Sequence, residues 1–181
     1  DRLADACLSN DPYYARYAVT FVDNHDTGRY NHNEGNAPVY GYVEAANAFM
    51  LSMPGTPCVF LPHWQKHKRA IKQLILTRHA AGIDNQSTIL KAEATAEGFI
   101  LNVQGSEAKL LLLCGKKAEY STNGYQLAVE SEGFKLYISD DIDLSEVKGV
   151  VDLPYHFTLP AGLKVNKGSC ASVCCKQAQG K

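Results

Sequence analysis

The feature that most constrains this chain is a change of hydrophobic period near Asp84-Asn85. Before that point apolar residues recur at helical spacing or stand in short unbroken runs. After it they alternate with polar residues. A period near 3.6 turns one face of a helix to a core, and a period of two does the same for a strand. The chain is therefore expected to hold two architectures that meet near residue 84.

The first part reads strand, helix, strand, helix. "YAVTFV", residues 17–22, is β-branched and aromatic, as strands are. Pro38 suits the first turn of a helix, where a missing N–H costs nothing. Val39, Tyr42, Val43, Ala46, Phe49, Met50 and Met53 then fall on one helical face, and Pro54-Gly55 ends the run. "PCVFLP", residues 57–62, is wholly apolar, as expected of a parallel strand buried on both faces. A second helix is expected from about Lys66 to Ala81, with Ile71, Leu74 and Ile75 inward. Arg78 and His79 then sit near its negative end and Gly82 caps it. Such a βαβα unit implies parallel strands joined by crossover helices.

In the second part Phe99, Leu101 and Val103 alternate with their neighbours, and "KLLLLC" is a further strand. Tyr125, Leu127 and Val129 alternate, as do Phe134, Leu136 and Ile138. Gly105-Ser106, Gly115, Asn123-Gly124 and Glu132-Gly133 punctuate them. Short strands at this spacing predict an antiparallel β-domain, with "YHFTLP" as a last strand and a loose tail after it.

Charge narrows the choice of partner. With 18 basic and 19 acidic residues the net charge is −1, which gives no electrostatic reason to expect nucleic acid or an anionic membrane. The longest aliphatic run, Leu110–Leu113, is far too short to span a bilayer. The opening "DRLADACLSNDPYY" has neither a basic nor an apolar leader segment, so the chain reads as cytoplasmic, or as a mature or truncated piece of something longer. Six irregularly spaced cysteines do not make a disulfide framework. Cys58 and Cys114 lie in apolar runs and are expected to be buried. The tail "CASVCCK" has neither a histidine nor a second cysteine pair beside it to complete a zinc site.

The chemistry concentrates in "FVDNHDT", residues 21–27, where two aspartates, a histidine and an asparagine follow an apolar run. Two readings are open. Asp, Asn and Asp-Thr-Gly make good turns on their own. The carboxyl ends of parallel strands are also where functional groups gather, and a carboxylate beside a histidine there can move protons, stabilise a cation or hold a metal.

"FVDNHD" resembles the fourth conserved stretch of the α-amylase superfamily, glycoside hydrolase family 13. "AFMLSMPGTPCVF" is similar to the helix and eighth strand that follow it in that family, and "HKRAIKQLILTRHAAGI" to the last barrel helix. The likeness is good over residues 15–105 and weak beyond. "PGTPCVFLPHW" resembles the plant-type branch and its bacterial relatives.

The resemblance implies the C-terminal part of a (β/α)8 TIM barrel followed by an antiparallel β-sheet or sandwich domain. Residues 1–84 would carry barrel strands seven and eight, residues 85–165 the β-domain and residues 166–181 a loose tail. Asp26 would be the family's third catalytic carboxylate, which binds the cleaved sugar and stabilises an oxocarbenium-like transition state. His25 would hydrogen-bond the same sugar, and Trp64 would offer it a stacking platform, against the alternative of packed core. Asp23 and Asn24 read as turn-shaping residues.

His32 is read as a solvated loop residue, His67 and His79 as surface or capping residues, and His156 carries no signal. Asn85-Gln86-Ser87 is a glycosylation sequon. The implied substrate is an α-1,4-glucan such as starch or a maltooligosaccharide, with no nucleic acid or membrane partner. No cofactor is assigned to this segment, and calcium is left to the parent protein. The resemblance favours an extracellular or periplasmic setting, which the residues themselves do not fix.

A retaining glycosidase needs a nucleophile and a general acid/base about 5 Å apart. In this family both follow earlier barrel strands, and a whole barrel takes about 250 residues. The chain is therefore expected to need a further N-terminal barrel segment, to expose an apolar face without it and to be inactive alone. Two rivals stand beside this reading. A metallophosphoesterase would need a later Gly-His-x-His, which is not in the sequence. A non-catalytic carbohydrate-binding or structural member would have no need of His25 and Asp26.

Overall fold

The computed structural model describes residue 11, residues 13–28 and residues 38–151. Cys7, His32, His156 with the expected strand "YHFTLP", and Cys170, Cys174 and Cys175 lie outside the described residues.

After two short strands, β1 (Val19–Thr20) and β2 (Thr56–Pro57), five strands form one antiparallel sheet: β3 (Thr88–Thr95), β4 (Gly98–Gln104), β5 (Lys109–Cys114), β6 (Tyr125–Ser131) and β7 (Phe134–Ser139). Their order is β3-β4-β5-β7-β6. Leu101 faces Leu112, which faces Leu136 across the next pair. Period-two alternation sends Leu101, Val103, Leu110, Leu112, Leu136 and Ile138 to the main core. Ile100, Leu111 and Leu113 build a smaller cluster on the opposite face with Tyr125 and Tyr137 against it. Gly133 closes the β6–β7 hairpin at φ 85°, a backbone that glycine adopts freely.

The alternation is interrupted in two places, between Ile89 and Lys91 of β3 and in β6. The register shifts between Leu127 and Val129, so Ala128 and Val129 are both buried and Leu127 is exposed. A bulge places two residues against one and breaks the period.

Before the sheet come β1 (Val19–Thr20), α1 (Val43–Ser52), β2 (Thr56–Pro57), α2 (Leu61–Lys66) and α3 (Lys68–Ala80), and after it a short α4 (Ser145–Lys148). β1 and β2 pair in parallel, Val19 with Thr56 and Thr20 with Pro57. Helix α1 lies against α3 and β5. One core cluster joins Ala48, Leu51, Ile71 and Leu74 of the helices to Leu101, Leu112 and Leu136 of the sheet.

Several local expectations are corrected. Both parallel strands are two residues long, not six. "PCVFLP" is exposed or half-buried rather than buried on both faces, and Cys58 is exposed. Its last residues open α2 instead, with Pro62 in the first turn, where a fixed φ favours a helix and no N–H is needed. The helix expected from about Lys66 to Ala81 is present as α3, but His67 just before it is no surface residue: its Nδ1 meets Glu44 Oε1 of α1 at 2.8 Å, which makes it a half-buried link between helices.

Helix α1 begins at Val43, well after Pro38, and Tyr42 ahead of it takes a left-handed φ of 56°. Its buried face runs through Ala45, Ala48, Leu51 and Ser52 rather than through Tyr42, Ala46 and Phe49. Small side chains let the helix approach α3 and the sheet closely. The larger Tyr42 and Phe49 are left to line an apolar cleft with Phe21, Val22 and Phe99.

Arg78 does not serve its own helix end. Its guanidinium reaches back and donates to the carbonyls of Leu51 and Met53 at 2.8 and 2.7 Å and of Gly55 at 2.7 Å. These include carbonyls that the end of α1 leaves without helical partners. Burial lowers its pKa to about 10, with Asp84 pulling the other way. Gly82 does cap α3, at φ 64°, with its N–H on His79 O at 2.9 Å.

Candidate functional site

The loop after β1 folds into a single turn with its own internal bonds. Asn24 Oδ1 accepts the N–H groups of Asp26 and Thr27, both at 2.9 Å. Asn24 N–H donates to Thr27 Oγ1 at 3.0 Å, and Gly28 N–H to Asn24 O at 2.7 Å. Asn24 is thus the turn former, by the side-chain mimicry of a backbone turn that asparagine favours. Gly28 is required by space: a Cβ there would lie 2.4 Å from the Phe60 ring and 2.6 Å from Asn24 O.

The turn presents His25 and Asp26 outward. Their side chains are 86 and 61 % exposed, and His25 Nε2 stands 3.4 Å from Asp26 Oδ2. A carboxylate so open keeps lone pairs free for a ligand's hydroxyl groups or for a developing positive charge.

Beneath this pair lies a buried polar line. Asp23 Oδ2 is 3.1 Å from Nε2 of His63, with the two side chains 3 and 9 % exposed. The same oxygen accepts the N–H of Val39 at 3.1 Å, and Oδ1 faces Thr27 Oγ1 at 3.4 Å. Nδ1 of His63 meets Asn47 Nδ2 at 3.3 Å, and Asn47 Nδ2 also donates to Val43 O at 2.8 Å. A carbonyl oxygen only accepts, so the amide atom 2.8 Å from it must be the nitrogen, which orients the Asn47 amide. Its second hydrogen then goes to His63 Nδ1, so Nδ1 accepts and Nε2 carries the proton toward Asp23.

The arrangement suits a neutral imidazole. Burial lowers the pKa of His63 most, the Asp23 carboxylate opposes that shift, and His67 and Lys66 add to the lowering. A second proton on Nδ1 would point at the Asn47 amide hydrogens. Asn47 Oδ1 is left without a partner in the buried interior. The Phe60 ring stands edge-on to His63 with centroids 5.4 Å apart and covers the line from the loop side.

Of the three residues singled out from sequence, the fold brings His25 and Asp26 together. Trp64 lies on α2, half-buried against the core, with Lys68 Nζ 5.9 Å from the centre of its ring. It is His63, one residue earlier, that reaches the loop. The Asp23–His63–Asn47 line is not legible in the sequence, because its members lie in three separate segments. One signal was present: Asn47 interrupts the run "AANAFM" on a helix that is otherwise apolar there. Among the described residues no group of three His, Cys, Asp or Glu side chains is placed to hold a metal ion.

Comparison with known proteins gives an independent view. No protein-family profile matches the chain. It is 36 % identical over 108 residues to the glucan 1,4-alpha-maltotetraohydrolase of Stutzerimonas stutzeri, covering 56 % of this chain and 20 % of that protein. The alpha-amylase type B isozyme of Hordeum vulgare is 37 % identical over 94 residues, which is 49 % of this chain and 58 % of the barley sequence. A probable alpha-amylase 2 of Arabidopsis thaliana is 39 % identical over 92 residues. The chain spans about a fifth of the length of the bacterial relative and less than two thirds of the barley one.

Proposed function

Over about half its length the chain belongs to the alpha-amylase family, and from that premise we propose that it is the C-terminal portion of a retaining α-amylase acting on α-1,4-glucosidic bonds of starch-type glucans. The observation that carries the proposal is the His25–Asp26 pair, held outward on a braced turn at the carboxyl end of a parallel strand. In this reading β1 and β2 are strands seven and eight of a (β/α)8 barrel within residues 1–84, and the five-stranded sheet is the β-domain of residues 85–165.

Asp26 neither attacks nor protonates. Its carboxylate takes hydroxyl groups of the sugar at the cleaved bond, and its charge favours the ring as positive charge develops there. Contacts that strengthen toward the transition state raise turnover, whereas contacts equally strong in the ground state raise only affinity. His25 donates to the same sugar, and Trp64 lends the exposed part of its ring as a platform. The nucleophile and the acid/base come from earlier barrel segments, as does any calcium site. The 181 residues alone are then inactive.

The test is starch hydrolysis by the complete polypeptide, parent against Asp26→Asn, with maltooligosaccharide binding measured beside it. The amide should lower turnover by about 10²- to 10³-fold, as loss of one transition-state group does elsewhere, and leave binding nearly unchanged. A parent that binds glucan yet hydrolyses none would point to the non-catalytic rival.

A further inference from the structure

Asp23 is buried, yet it lies two and three residues from the open side chains of His25 and Asp26. A buried carboxylate is costly unless donors converge on it. Among the described residues three do, and each comes from a different piece of chain. His63 Nε2 belongs to α2 at 3.1 Å, the Val39 N–H to the returning arm of the loop at 3.1 Å, and Thr27 Oγ1 to the turn itself at 3.4 Å. Asn24, by contrast, bonds only within the turn among the described residues, so it shapes the turn without placing it.

We infer that Asp23 is the positioning residue of the His25–Asp26 pair: it clamps both arms of the loop to His63 and so fixes where the Asp26 carboxylate stands. The clamp has a rigid anchor. His63 is held by Asn47, and Asn47 by the Val43 carbonyl of α1. Phe60 fills the space between His63 and Gly28, so the turn can neither sink nor swing toward α2. Asp23 does this from below the surface and touches no substrate. The inference rests on the reading above, in which Asp26 meets the sugar. A displacement of about 1 Å at such a group can cost about a hundredfold in rate.

Geometry also says which substitution should rescue. In Asp23→Asn the amide oxygen can take the place of Oδ2 and accept from His63 and Val39. The amide nitrogen then donates to Thr27 Oγ1, whose own hydrogen turns to Asn24 Oδ1 at 3.3 Å. Asp23→Ala keeps none of these bonds.

The test uses the complete polypeptide, with starch-hydrolysis kinetics and backbone hydrogen exchange on the same samples. Asp23→Ala should lose at least about thirtyfold in kcat with KM moving less than about threefold. The amides of Asp26, Thr27 and Val39 should lose protection while those of β4, β5 and β7 keep theirs. Asp23→Asn should stay within about threefold of the parent on both readouts. A folded Asp23→Ala protein with parental kcat and parental loop exchange overturns the inference. So does an Asn variant as damaged as the Ala one.

Should Asp23→Ala fail to fold, His63→Ala removes the α2 end of the clamp and must show the same split, or the inference fails. If the parent has no starch hydrolysis to lose, the functional reading falls and the exchange measurement decides alone. Lost protection at Asp26 and Thr27 in Asp23→Ala then sustains the clamp, and unchanged protection sinks it.

Discussion

Residues 13–60 and residues 98–139 use the same kinds of side chain to different ends. In the first stretch Tyr13, Tyr17, Val19, Phe21, Tyr40 and Tyr42 are exposed. In the second Leu101, Val103, Leu110, Leu112, Leu136 and Ile138 are buried almost completely. The parallel strands are two residues long and the antiparallel ones six to eight. The sheet covers its inner face with helices from the same chain, whereas the first stretch turns apolar surface to water. The candidate site thus sits in the less covered region and depends on local braces, such as Asp23, Asn24 and Arg78, rather than on a deep core.

The largest loss of stability should come from the sheet. Leu112→Ala empties a fully buried position at the centre of the shared core and should cost about 3–5 kcal/mol by urea denaturation. A loss under about 1 kcal/mol would mean the core collapses around the gap.

Next is Arg78→Met, which leaves the carbonyls of Leu51, Met53 and Gly55 buried without their donor. About 3 kcal/mol should be lost, with a fall of roughly 6–12 °C in Tm by calorimetry. The change should also speed exchange of the amides between α1 and β2 more than that of the sheet.

Gly28→Ala should cost about 1–3 kcal/mol, because its Cβ would press on backbone as well as on the Phe60 ring. Its main effect should be on the turn, seen as shifted amide resonances of residues 24–28.

Acid should act through His63. Burial holds its folded-state pKa below the value near 6.5 of the unfolded chain. The unfolded state then binds the proton more readily, so this contribution to stability is complete above about pH 6.5 and is lost as pH falls through the folded value. The urea midpoint of the parent should drop more between pH 7.5 and 5 than that of His63→Gln. Equal slopes would contradict the neutral-imidazole assignment. The smallest effect expected is that of Tyr17→Ser, within about 0.5 kcal/mol, because the ring is already in water.

The β-part was legible because its signals are local. Alternation placed Phe134, Leu136 and Ile138 inside, and the glycine turns closed the strands where they stand. The bulge at Ala128 and the shift between Ile89 and Lys91 escaped, since an inserted residue leaves no mark in composition. The helical part was less legible because its errors are errors of partner. "PCVFLP" is as apolar as a buried strand, and only Pro62 hinted that a helix begins there. Arg78 near the end of a helix reads as a dipole partner until the fold shows another helix end within reach. Likewise, Asp23 differs from Asn24 in nothing the sequence displays. What separates them is a histidine 40 positions later that folds back onto one and not the other.

The contrast between the two regions is tested most directly by native-state hydrogen exchange on the 181-residue chain. Amides of β4, β5 and β7 should exchange only by global unfolding, and those of residues 18–28 and 56–60 by local opening, faster by at least about a hundredfold. Uniform protection across both regions would contradict the account, because it would mean that the stretch carrying His25 and Asp26 is as firmly held as the sheet.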